Sequence, residues 1–213
     1  MDTARHRSMI LPAKLDDETL HVYFDRLRHL FAGMDQKYEE AAAYYGFQCA
    51  GCEDNCCRTR FHHHTYLEFL YIRDGFDRLE PTERHALRAE AEAVCRKSEQ
   101  ALKKGAAVRM MCPLNDAGLC RLYSYRPMIC RLHGIPYELQ TPGRPVSFGP
   151  GCGAFDDQCC SRSYIKFDRT PFYFEMAALE NEFKQAIGLT EKIKLTIAEM
   201  ILEFGSWNSE VGK

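Results

Sequence analysis

Residues 20–34 read "LHVYFDRLRHLFAGM", and the apolar side chains Leu20, Tyr23, Phe24, Leu27, Leu30, Phe31 and Met34 recur every three or four positions. That spacing places them on one face of a helix, since 3.6 residues complete a turn. Asp16 is a good N-cap, because its carboxylate can accept a backbone N–H of the first turn. The pattern predicts a first helix running to about Tyr45. Working outward, "TYLEFLYIRDGFDRL" starts a second helical pattern near Thr65, which Gly75 threatens to interrupt. Pro81 suits the first turn of a third, reaching about Lys104, with Leu87, Ala91, Val94, Cys95 and Leu102 on its apolar face. Helix returns from Pro171 through Ile187, and again through Ile193, Ile197, Ile201 and Phe204.

Between these helices lies a different kind of chain. Residues 107–153, "AVRMMCPLNDAGLCRLYSYRPMICRLHGIPYELQTPGRPVSFGPGCG", are rich in Pro, Gly and Cys and almost without period, with a turn at Asp116-Ala117-Gly118. The expected fold is therefore mainly α, with helices framing two cysteine-rich irregular loops and at most a short β-hairpin. No repeat or low-complexity linker divides the chain, so 1–213 reads as a single domain: a motif core at 49–152 and helical flanks at 15–45 and 171–204.

Composition narrows the function classes. The 213 residues are 46% hydrophobic and 27% charged, enough to bury a core without cross-links. A formal net charge of −2 gives no broad basic field for nucleic acid. Near the start only Met9, Ile10 and Leu11 run together, too few for a secretory segment, and no run of apolar residues is long enough to span a bilayer. The expectation is a cytoplasmic protein. Eleven cysteines in a reducing compartment point to metal or redox chemistry before disulfides.

Ten of the eleven fall in stretches read as non-helical: Cys49, Cys52, Cys56, Cys57, Cys112, Cys120, Cys130, Cys152, Cys159 and Cys160. Cys95, on a helix face, reads as plain core. Cys49-x2-Cys52 has the spacing at which one turn aims two thiolates at one ion. Neighbours such as Cys56 and Cys57 are expected to diverge, which suggests two centres or a multi-atom cluster. Thiolates select soft metals over magnesium or calcium. Arginines near the sulfurs would offset thiolate charge.

The strings "CAGCEDNCC" at 49–57 and Cys112-Pro113 followed by "CRLYSYRPMICR" at 120–131 resemble the YkgJ-like cysteine-cluster family, the CxxCxxCC proteins, a zinc- or iron-chelating domain. The resemblance covers roughly 49–152. It implies Cys49, Cys52, Cys56 and Cys57 as a first ligand group, Cys112, Cys120 and Cys130 as a second, and Cys152 completing eight. Three residues, Glu53-Asp54-Asn55, precede the double cysteine here where the family has two, leaving open how Cys56 and Cys57 divide. Cys159 and Cys160 fall outside the pattern, as a third site, a redox pair or inert thiols. A similar arrangement occurs in flagellin lysine N-methylases, which keeps an enzyme among the alternatives.

Within the signature, Pro127 fits the first turn of a short helix bearing Cys130, and Arg126 has the donors to tie neighbouring carbonyls into a frame. Arg126, Arg131 and Tyr123 are the candidate residues around a cofactor, with core packing as Tyr123's other reading. His133 reads as structural and His62-His63-His64 as a solvated helix entry. The favoured cofactor is an iron–sulfur cluster, 4Fe-4S first, with Zn2+ as the alternative. Irregular spacings and the lack of a second close C-x2-C knuckle weigh toward iron–sulfur. The functional expectation is a metal-binding cysteine-cluster protein in redox or cluster-dependent chemistry. The alternatives are a zinc-binding structural or interaction module, with a protein partner, and metal storage or delivery. No serine triad, phosphate loop or paired-carboxylate motif stands out, so no catalytic residue is assigned.

Overall fold

The computed structural model describes residues 15–49, 56–159 and 161–204. Cys52, Cys160 and the Met9–Leu11 run lie outside the described residues. Helix α1 spans Asp17–Tyr45; Asp16 accepts the Thr19 N–H at 2.7 Å, and Gly46, at φ 68, closes the helix in the left-handed conformation. Its predicted stripe is its buried stripe, from Tyr23 to Met34. Helix α2, Tyr66–Asp77, begins at Thr65 as expected, but Gly75 does not interrupt it. That glycine is buried inside the helix with the Tyr125 ring against it: a Cβ would meet Tyr125 Cγ at 2.5 Å.

Nearly every side of α2 is apolar and buried, which makes it the central helix. Helix α1 packs on it, and both meet helix α6, Thr170–Ile187. Tyr23 stands edge-on to Phe183 and Phe24 edge-on to Tyr71 across these interfaces. Helix α3, Pro81–Lys103, packs against helix α7, Ile197–Glu203. Leu87 and Ala91 are buried there, but Leu102, expected on the apolar face, is 50% exposed. Ile193 is buried outside any helix; α7 starts only at Ile197, where Thr196 and Glu199 form a reciprocal cap. Phe204 then closes the core against Phe69 and Phe76 of α2.

The middle of the chain has little regular structure, as its composition foretold. Strands β1, Asn115–Asp116, and β2, Leu119–Cys120, form a minimal hairpin. Ala117 and Gly118 supply its turn with φ 50 and 91, the paired positive values that a tight two-residue hairpin needs. Helix α4, Met128–Leu132, packs on α1. Strands β3, Tyr137–Leu139, and β4, Ser147–Gly149, make a second hairpin, followed by helix α5, Gly153–Cys159. Cys130 lies on α4, the short helix expected at Pro127, and Cys159 is helical contrary to the expectation, because a further short helix forms inside the irregular segment. One hydrophobic cluster joins all seven helices among the described residues. No helix among them is long and apolar enough to cross a membrane.

Candidate metal centre

A cavity of about 650 Å³ opens between α3, α7 and the irregular middle. Cys56, Cys57, Cys112, Cys120, Cys130 and Arg126 line it together with apolar side chains including Val94, Met110 and Ile197. Each thiol arrives by a different local device. Cys56 and Cys57 occupy a single 3-10 turn, Cys56–Arg58, whose Cys57 carbonyl accepts the Cys112 N–H at 2.7 Å. Cys120 ends the β1–β2 hairpin, whose Asn115 N–H returns to the Cys112 carbonyl at 3.0 Å. Cys130 rides on α4, started by Pro127 at its N-cap rather than within its first turn.

Buried acids hold these helix starts. Glu68 of α2 accepts the Met128 N–H at 2.7 Å and the Thr65 hydroxyl at 2.6 Å, placing a carboxylate at the N-terminal end of α4. Glu180 of α6 does the same for α2, accepting the Tyr66 and Leu67 N–H groups at 2.9 and 3.1 Å. Burial raises the pKa of both carboxyls, against the lowering effect of these hydrogen bonds.

Arg126 ties one neighbouring carbonyl, its Nε donating to Tyr123 at 3.1 Å, but most of the frame expected of it is built by Arg131. Arg131 is 6% exposed, and donates to the Arg126 carbonyl at 2.7 Å, to the Ser124 carbonyl at 2.6 Å and to Asp35 of α1. Its guanidinium lies over Phe31, 4.2 Å from the ring centre. Arg126 lies 3.6 Å above the Tyr123 ring, and that tyrosine is 58% exposed rather than in the core. The Arg126 cation favours the thiolate of Cys57, and at Cys120 it opposes the larger upward push of burial without overcoming it.

The sulfurs influence one another strongly. Cys56 and Cys57 do not diverge: the 3-10 turn lets the first thiol donate to the second. That bond lowers Cys57 to a pKa of about 6, with Asn115 and Arg126 helping against burial, while Cys56 is raised. Burial pushes Cys112 up to about 12 and Cys130 well above the ordinary thiol range, and charge on Cys57 and Cys120 adds to both. Cys120 is raised by burial as well. Two backbone donors oppose this: the Leu114 N–H bonds the Cys112 sulfur and the Leu122 N–H the Cys120 sulfur, each two residues along. Among the described residues, no three His, Cys, Asp or Glu side chains already stand in an arrangement that could hold a metal ion.

The remaining candidates are scattered around this group. Cys49 is exposed at the end of α1, and Cys152 is partly buried against the core. Cys159 is a core side chain, 2% exposed, whose thiol bonds the Tyr45 carbonyl at 3.6 Å. Cys95 is only half-buried; it lines the cavity, and burial pushes its thiol up to about 11.

One histidine departs from expectation too. His63 is 3% exposed rather than solvated, with its N–H on the Leu195 carbonyl at 2.8 Å and its own carbonyl receiving the Leu195 N–H at 3.1 Å. Those two bonds pair the segment before α2 with the segment before α7. Burial lowers His63 to about 4, so its ring is neutral, and Nε2 has no hydrogen-bond partner among the described residues. His133 packs edge-on to Phe61 and is likewise lowered to about 4 by burial and by Arg169. Sequence reasoning missed Glu68 and Asn115, both of which sit in patterns that also suit an ordinary helix or turn.

No protein-family model, curated protein or solved structure matches this chain.

Proposed function

We propose that the chain is a metal-binding cysteine-cluster protein of the YkgJ-like kind, holding an iron–sulfur cluster used in redox or cluster-dependent chemistry. One observation carries the reading: Cys56 and Cys57, and Cys112, Cys120 and Cys130 from a stretch more than fifty residues further along the chain, line one cavity. Bringing several buried thiols together is unfavourable once they ionise, and a thiophilic cation offsets that repulsion. The N–H···S bonds to Cys112 and Cys120 favour the thiolate form that such a centre requires. When bound, the cluster would supply electron transfer or a Lewis-acidic iron; the chain's residues supply ligands, a neighbouring cation in Arg126 and a cavity beside it. Cys49, Cys52 and Cys152 belong to the same ligand set on the resemblance to the family. The centre suits a reducing, cytoplasmic setting.

Zinc as a structural tie is the second reading, favoured by how little regular structure residues 107–153 have of their own. Anaerobic purification with iron, zinc and acid-labile sulfide analysis and an absorption spectrum separates the two. A brown protein with sulfide is expected; a colourless one with stoichiometric zinc defeats the cluster, and a metal-free chain that takes up neither defeats both. Cys112→Ala should lower metal content while Cys95→Ala leaves it unchanged.

A further inference from the structure

The segments before α2 and α7 meet at one antiparallel bridge, where the His63 N–H donates to the Leu195 carbonyl at 2.8 Å and the Leu195 N–H returns at 3.1 Å. These main-chain bonds fix the His63 imidazole, 3% exposed, among the side chains that line the cavity. Its Nε2 has no hydrogen-bond partner among the described residues. Other polar groups of the same lining are engaged elsewhere: the Thr196 hydroxyl donates to Glu199 at 2.9 Å, and Glu92 holds Arg96 at 3.4 Å. A buried nitrogen left unbonded is unfavourable, so a fold that keeps one calls for a partner from outside the chain.

The rest of the lining sets the character of that partner. Val94, Met110, Leu114, Ile197 and Leu202 are apolar, and 650 Å³ falls within the range of about 300–1,000 Å³ found for pockets that hold small organic molecules. Glutamates of α3 and α7 reach the lining, and so do Arg60 and Arg126, so no field of one sign is present to hold an ion. Burial keeps the imidazole neutral at pH 7, and a neutral ring nitrogen either accepts or donates according to its tautomer. A hydroxyl can do both, and so suits either tautomer.

We propose that this cavity binds an uncharged, mainly apolar small molecule bearing a hydroxyl, which hydrogen-bonds to His63 Nε2. Neither His63 nor the apolar lining belongs to the proposed metal ligands, so the inference stands apart from the metal-centre reading.

The test compares 2-naphthol with naphthalene, one ring system with and without the hydroxyl, by fluorescence titration of the full chain at pH 7. A purely apolar pocket favours naphthalene, whose transfer from water strips no polar group. The wild-type chain should instead bind 2-naphthol about tenfold more tightly, because only the hydroxyl satisfies the buried nitrogen. His63→Phe should lose that preference, and Val94→Trp, which fills the cavity from α3, should lose both probes. Wild type binding naphthalene as tightly as 2-naphthol overturns the proposal, and this comparison needs no variant to fold. So does a preference that survives in His63→Phe, undiminished binding in Val94→Trp, or binding of neither probe. Metal analysis of the same samples keeps the two readings apart: 2-naphthol binding by a metal-free chain sustains the pocket while the metal centre fails.

Discussion

His63 should make this protein acid-sensitive by an amount that can be worked out. Its imidazole is 3% exposed and its pKa is about 4, lowered first by burial and then by His64 and His62. In the unfolded chain the ordinary value is about 6.5. A base with a lowered folded pKa costs nothing while both states are neutral. As pH falls below the unfolded value, the unfolded state takes up the proton and the folded state does not. Stability is then lost progressively between about pH 6.5 and 4. At pH 5 the unfolded imidazole is almost fully charged and the folded one about a tenth charged, a loss of about 2 kcal/mol. That is a large share of a typical net stability of roughly 5–15 kcal/mol.

His63→Phe removes the titration and also an unpartnered buried nitrogen. At pH 7 it should differ little from wild type; by pH 5 it should be more stable by about 2 kcal/mol relative to the pH 7 difference. Urea unfolding of both chains at the two pH values reads this directly. Taking the difference between chains cancels the opposite contribution of Glu68 and Glu180, whose raised pKa values favour the folded state as pH falls. A gap that stays constant within about 0.5 kcal/mol from pH 7 to 5 would refute the buried neutral imidazole, since linkage permits no other result.

Gly75→Ala should destabilise by about 1–3 kcal/mol through overpacking on the Tyr125 ring. In a Tyr125→Ala background the same change should instead stabilise by roughly 0.5–1 kcal/mol, the helix preference of alanine over glycine. A thermal-melt cycle showing no change of sign would count against the contact. Arg131→Met removes donors to the Ser124 and Arg126 carbonyls, and should cost about 2–3 kcal/mol in urea unfolding. Asp35, partly exposed, can turn to water, which keeps the loss below that of a fully buried pair. A loss under about 0.5 kcal/mol would show that Arg131 does not hold the segment before Cys130.

The helical frame was legible in the sequence because it rests on local rules. Three- and four-residue spacing, Asp16 as a cap, a helix start near Thr65 and Pro81 at another all act within one or two turns. The Ala117–Gly118 turn was legible for the same reason. Elsewhere local rules misled: Gly75 was read as a breaker because its partner, Tyr125, lies far along the chain, and His63 was read as solvated because its partner strand belongs to Leu195.

Composition and spacing by themselves thus determined a mainly α-helical chain with most of its cysteines outside the long helices. Only the tertiary structure decided which sulfurs neighbour one another and that Arg131 rather than Arg126 braces α4. Helix periodicity is fixed by bonds four residues long, whereas these meetings depend on how whole helices pack, and no short stretch of sequence carries that information.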